Sequence, residues 1–130
     1  MLSRNARLLV ASFLMLISTL FASVAGDGAW LASVPARERE KANPYAGQAD
    51  AIAAGRKLYV DHCLHCHGDN AQGTKKRPPL ITERVQKQAT PGDLHWLLVN
   101  GNMKKGMPSW AKLPDPQLWQ IISYLKTLKQ

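Results

Sequence analysis

The sequence predicts an all-α domain with long loops. Apolar residues recur at helical spacing in three stretches. No alternating β-branched runs repeat between turn signals, which excludes an all-β fold. Glycine and proline cluster between the helical stretches and mark them as loops. A chain of 130 residues has room for one small domain, not for separate cofactor and substrate domains. Hydrophobic residues make up 45% of it, which argues against disorder. Two cysteines cannot build a disulfide-dense scaffold.

The first helical stretch runs from Asp50, a good N-cap residue, to about His62. Ile52, Gly55, Leu58 and Tyr59 fall on one face of it. A glycine inside a helix costs about 1 kcal/mol relative to alanine. Close approach of another helix is the structural reason for accepting that cost. Residues 68–89 read mainly as loop, with a short helix at residues 81–88. Thr90-Pro91-Gly92-Asp93 is a strong second start, with Thr90 as cap and Asp93 completing an acidic capping box. Leu94, Leu97 and Leu98 form its apolar face. Asn100-Gly101 ends it, with Gly101 as the left-handed cap. After a loop holding Gly106, Pro108 and Pro114, Asp115-Pro116 repeats the start signal. Leu118, Ile121, Ile122, Leu125 and Leu128 then recur to the C-terminus. Three main helices with this much loop leave a thin core, which something else should fill.

The N-terminus reads as an address. Arg4 and Arg7 precede an apolar stretch at residues 8–21, followed by the small residues Ala22, Ser23, Val24 and Ala25. That is the pattern of a signal peptide over residues 1–25, cut after Ala25. The alternative is an uncleaved anchor over residues 8–25, short for a span and interrupted by Ser12, Ser18, Thr19 and Ser23. Residues 26–48 hold no sustained apolar periodicity and read as a flexible N-terminal arm or linker, leaving 49–130 as the folded domain.

The whole chain has 17 Lys and Arg against 9 Asp and Glu, a formal charge of +8. Cleavage removes Arg4 and Arg7, leaving 15 positive against 9 negative groups, or +6. For an exported protein this charge points away from nucleic acid and toward acidic protein surfaces or anionic membrane.

Cys63-Leu64-His65-Cys66-His67 is a C-x-x-C-H motif at the end of the first helix, the attachment motif for c-type haem. Two thiols about one turn apart can each add across a haem vinyl group, and His67 is then held under the iron. The buried porphyrin would supply the apolar bulk that the side chains lack. A thioredoxin-like redox pair would need a βαβ setting. A structural zinc site would need a second ligand pair, with His62, His65 or His95 pressed into service. For the sixth ligand, Met103 and Met107 lie in the loop between the last two helices. Met107 sits in Gly106-Met107-Pro108, a constrained turn, whereas no proline follows Met103. His95 is the rival that would change the chemistry, and it reads as a surface histidine.

At this point the sequence resembles the class I, mono-haem cytochromes c over residues 50–130. The elements that carry the likeness are Gly55 and Tyr59, then Cys63-x-x-Cys66-His67, then Arg77-Pro78-Pro79-Leu80, then Gly106-Met107-Pro108, then Tyr124-Leu125. The resemblance implies a cytochrome c-like fold, three to four helices and long loops around one haem c attached through Cys63 and Cys66. It implies His67 and Met107 as axial ligands, and Pro78 as the carbonyl that accepts a hydrogen bond from the His67 ring. Arg77 occupies the usual glycine position, which leaves the choice between Pro78 and Pro79 open. Gly55 and Tyr59 would meet Tyr124 where the first and last helices cross. Trp96, Trp110 and Trp119 are core or haem-pocket candidates.

The expected function is periplasmic electron transfer without catalysis, since an iron with two protein ligands has no vacant position. The expected partner is an acidic redox protein such as a dehydrogenase or terminal oxidase, docked on Lys75, Lys76, Arg77, Lys104, Lys105 and Lys112. No nucleic acid is expected, a membrane only if residues 8–25 stay uncleaved, and the chain is expected to be monomeric. Two alternatives remain: a tethered haem relay subunit of an oxidase or quinoprotein dehydrogenase complex, and a haem peroxidase or gas sensor with a labile Met107.

Overall fold

The computed structural model describes residues 28–75 and 77–129. The signal or anchor expected at residues 1–25 lies outside them. Among the described residues six α-helices follow one another: α1 (Ala29–Ala32), α2 (Ala36–Arg39), α3 (Ala49–His62), α4 (Leu64–His67), α5 (Pro91–Asn100) and α6 (Asp115–Leu125). A single π-helical turn, Arg84–Gln88, stands where a short helix was expected. A 3-10 turn spans Met103–Lys105. Among the described residues there is no β-strand, only two isolated bridges, Thr74 with Arg77 and Asn102 with Met107.

The principal packing is α3 across α6, and Gly55 makes it. A Cβ at Gly55 would overlap the Gln120 carbonyl and lie 3.0 Å from the Tyr124 Cβ. The two backbones therefore touch at a point that only glycine leaves open. One turn on, the Tyr59 ring is fully buried against Tyr124, with centroids 5.4 Å apart and planes tilted by 56°. Its hydroxyl donates to the Gly68 carbonyl at 2.7 Å. Burial, with Cys63 and Tyr124 nearby, pushes the phenol up to about 12.

Around this crossing Leu94 and Leu98 of α5 join Leu118, Trp119, Ile121, Ile122 and Leu125 of α6, with Ala71, Val85 and Ala89 from the intervening chain. The Thr90–Asp93 capping box is present in both directions. Lys126, just past α6, donates to the Val85 and Ala89 carbonyls at 2.7 Å each, tying the π-helical turn to the end of α6.

Several local expectations are corrected. Gln48 caps α3 and Asp50 lies in its first turn, where a carboxylate favours the positive end of the helix dipole. Pro114 caps α6, and the exposed Asp115 carboxylate, in its first turn, pairs with His95 and Trp119 instead. Helix α6 ends at Leu125, although Leu128 still packs on the core. Gly101 has φ 68 and ψ −172, a region open to glycine rather than the left-handed helical cap.

The arm is the largest correction. Residues 28–48 form two short helices docked on α5 and α6, not a chain extended away from them. A Cβ at Gly92 would overlap the Glu38 carbonyl. Arg39 Nε pairs with the buried Asp93 at 3.0 Å. Asn43 Nδ2 donates to the Trp119 carbonyl at 3.0 Å and to the Ser123 hydroxyl at 2.9 Å.

Two outcomes test the crossing. Gly55→Ala should destabilise the haem-loaded protein by about 1–3 kcal/mol in denaturant unfolding, because overpacking outweighs the gain of about 1 kcal/mol in helix propensity. Tyr59→Phe should cost about 1–3 kcal/mol by stranding the Gly68 carbonyl. The Tyr59 phenol is raised in the folded state, so its contribution is complete below the unfolded value of 10 and is lost as pH rises toward about 12. Stability of the parent should therefore fall through that window, and Tyr59→Phe should flatten the fall.

Candidate haem site

Helix α3 delivers Cys63 at its C-terminal cap, and α4 carries Cys66 and His67 on its single turn. The Cys63 amide donates to the Tyr59 carbonyl at 2.8 Å, and the His67 amide to the Cys63 carbonyl at 2.9 Å. The motif therefore continues directly from the α3–α6 crossing. Gly68 follows with φ 86, which releases the chain from α4. The Tyr59 hydroxyl bond to Gly68 fixes that exit.

The cysteines are not bonded to each other, and both are half-buried. Burial first, and Cys66 second, push the Cys63 thiol up to about 12. A thiol held protonated is a poor redox nucleophile, since that role needs the thiolate. Among the described residues, no three or more Cys, His, Asp or Glu side chains gather as a metal cluster. The donor set therefore fits covalent haem attachment better than either alternative.

The Nδ1 atom of His67 lies 2.9 Å from the Pro78 carbonyl oxygen. As the donor in that bond, Nδ1 carries the proton and leaves Nε2 with its lone pair free to ligate. Of the two prolines left open by the sequence, Pro78 is the one whose carbonyl meets the ring. Burial lowers the His67 pKa below the usual histidine value, and the Arg77 charge adds to it, while the bond to Pro78 opposes both. The neutral ring that results is the form that binds a metal.

Thr74 and Arg77 hold the Pro78 segment by a reciprocal pair of backbone bonds at 2.9 and 3.3 Å. A Cβ at Gly73, where φ is +79, would lie 2.6 Å from the Pro79 nitrogen, so these backbones also touch. The Met107 turn is closed in the same manner. Asn102 N donates to Met107 O at 2.8 Å, and Met107 N donates to Asn102 O at 3.0 Å. Met107 is partly buried against the core, whereas Met103 is 72% exposed. A Cβ at Gly101 would lie 2.7–2.8 Å from atoms of residues 107–109, so this loop too is packed on backbone.

The other histidines divide. The His62 ring meets Trp110 at a tilt of 51°, with ring centroids 5.3 Å apart. His95 is not the surface residue expected. It is buried, stacked flat on Trp119 at 4.1 Å, with Nε2 2.7 Å from Asp115 Oδ1. Trp119 Nε1 donates to the other Asp115 oxygen at 2.9 Å. These partners make His95 part of the α5–α6 packing.

Sequence reasoning missed one contact at the site. Arg77 Nη1 donates to the Lys105 carbonyl at 3.3 Å, joining the Pro78 turn to the Met107 turn. The only available signal was the departure from glycine at position 77.

The chain is similar to known c-type cytochromes and cytochrome oxidase subunits. The sequence profile of "Cytochrome C oxidase, cbb3-type, subunit III" matches residues 50–125. The subunit CcoP of a cbb3-type cytochrome c oxidase from Azospirillum brasilense is 33% identical over 88 residues, covering 61% of this chain and 30% of that protein. CcoP of Rhodobacter capsulatus is 27% identical over 86 residues, covering 58% and 28%. The chain thus spans less than a third of the length of these curated relatives. The crystal structure of cytochrome CL from the marine methylotroph Methylophaga aminisulfidivorans superposes with a TM-score of 0.58 at 25% identity, over 66% of this chain and 58% of that one. On its fold, its attachment motif and this match, the chain belongs to the cbb3-type cytochrome c oxidase subunit III family of c-type cytochromes.

Proposed function

We propose that this protein is an exported electron carrier with one haem c, attached through Cys63 and Cys66 and ligated by His67 and Met107. The observation that carries the reading is the 2.9 Å contact between His67 Nδ1 and the Pro78 carbonyl, immediately after two half-buried, unbonded cysteines. Such a bond fixes the tautomer and orientation of a ligating histidine and raises its basicity. The haem supplies a one-electron iron couple, and the protein supplies attachment, orientation and exclusion of water. Methionine as the second ligand raises the reduction potential relative to a second histidine.

Charge selects the partner in this reading. Lys75, Lys104, Lys105 and Lys112 are exposed. The first three lie in two turns that Arg77 joins, and Lys112 Nζ lies 5.8 Å from the Trp110 ring centre. An acidic redox protein fits this side, and opposite charge would speed encounter. Export to the periplasm follows from residues 1–25 read as a signal. The second reading, a tethered relay subunit, is favoured by one observation: the relatives are named as oxidase subunits. In that case the tether is residues 8–25, left uncleaved. The mass of the protein isolated from its membrane or periplasmic fraction separates the two.

The oxidised protein should show a sulfur-to-iron charge-transfer band, and the reduced protein should resist carbon monoxide. Met107→Ala should abolish the band and admit carbon monoxide, while Met103→Ala should change neither. Loss of the band in Met103→Ala alone would move the ligand to Met103. A parent that binds carbon monoxide readily would favour the peroxidase or sensor reading. Electron-transfer rates with the physiological partner should fall steeply as salt is raised from 0.01 M toward about 0.15 M, where the screening length is about 8 Å. Flat rates would remove electrostatic steering.

A further inference from the structure

Two closed turns carry the residues assigned to the two sides of the iron. The first, tied by the paired backbone bonds of Thr74 and Arg77, leads directly into Pro78, whose carbonyl meets His67. The second, tied by those of Asn102 and Met107, has Lys105 and Gly106 at its tip. Each turn is held within itself, and neither set of backbone bonds fixes one turn relative to the other.

Arg77 bridges them by two independent contacts. Its Nη1 donates to the Lys105 carbonyl at 3.3 Å. Its guanidinium also lies against Gly106, where a Cβ would come 2.8 Å from Nη2 and 3.2 Å from both Cζ and Nη1. Gly106 has the left-handed φ of 77, so the same residue shapes the turn and leaves room for the flat guanidinium. Arginine suits this position because its charge stays on, its fork is planar, and its charge-assisted bond is stronger than a neutral one. Lysine would bring the charge without the plane.

We propose that Arg77 is a positioning residue that clamps the Met107 turn to the Pro78 turn and so keeps the sixth ligand from giving way to exogenous ligands. This rests on the reading of His67 and Met107 as axial ligands. Arg77 touches neither iron ligand in this role. It acts through the backbone at Lys105 and Gly106, two residues and one residue before Met107.

The test compares haem-loaded parent, Arg77→Gln and Arg77→Lys proteins, each checked by mass for covalent haem. Three quantities are read: the sulfur-to-iron charge-transfer band, the carbon monoxide dissociation constant of the reduced form, and hydrogen exchange of the amides at residues 105–107. The clamp predicts a weaker band, faster exchange and roughly tenfold tighter carbon monoxide binding in both variants, a factor equal to about 1.4 kcal/mol. The reduction potential should fall in both variants, and further in Arg77→Gln, which also loses the charge. A falling potential with unchanged band, exchange and carbon monoxide affinity would overturn the clamp, since Arg77 would then act by charge alone. If Arg77→Gln does not mature, Arg77→Lys decides by the same three readouts. A parent without the band overturns the axial-ligand reading and the clamp together, and that result is distinguished by needing no variant.

Discussion

The contact of the Gly55 backbone with the Gln120 carbonyl fixes the helix that carries the cysteine motif. A small domain has few ways to aim a loop. Here two helices meet backbone to backbone, and the next turn of α3 buries Tyr59 completely. The Tyr59 carbonyl receives the Cys63 amide, while the Tyr59 hydroxyl reaches past the whole motif to Gly68. The C-x-x-C-H segment is thus held at both ends by one residue, its backbone carbonyl at Cys63 and its hydroxyl at Gly68, which the helix crossing immobilises. A fully buried hydroxyl without its acceptor would be costly, so crossing and motif stabilise one another.

Beyond the helices, precision comes from glycines packed closely against neighbouring turns. Gly73 lies against residues 77–79, Gly101 against residues 107–109, and Gly106 against the Arg77 guanidinium. Each contact removes freedom from a loop that lacks a strand or helix to stiffen it. This explains how a long loop can hold a single atom in place, such as the Pro78 carbonyl that meets the His67 ring. Ligands of a metal need that accuracy, and supporting contacts around them govern its properties as much as the ligands do.

What could be read from the sequence was what depends on near neighbours. The Thr90–Asp93 box spans three residues, the cysteine motif five, and both declare themselves in local pattern. Gly55 could be read because a glycine inside a helix needs a reason. Pro78 was legible only through likeness to other cytochromes, and the choice over Pro79 needed the ring of His67 in place. His95 was misread because its helical position alone looks polar. Its burial depends on Asp115, twenty residues away, and on Trp119 lying flat beneath it. Asp115 itself misled for the same reason: a good capping residue was taken for a cap, while its two oxygens serve His95 and Trp119. Side chains whose partners are distant in sequence carry no local signature.

The docked segment before α3 follows the same logic and changes what counts as the folded unit. Asp93 is 1% exposed and charged groups are rarely buried without a partner. Within α5 it accepts the Thr90 amide, which satisfies one oxygen. The other oxygen takes Arg39 from the segment. Arg39 is itself held by donating to the Leu31 carbonyl at 2.7 Å, and its own carbonyl accepts the Thr90 hydroxyl at 2.9 Å. The cap of α5 and the docking of residues 28–48 therefore share one carboxylate. Removing the segment would leave that carboxylate without its cation, and breaking a buried pair from one side costs about 3–5 kcal/mol. The discount for Arg39 being partly exposed lowers that figure but does not change its sign. A composition-based boundary at residue 49 divides a sequence whose two parts share a buried charge and the backbone contacts around it.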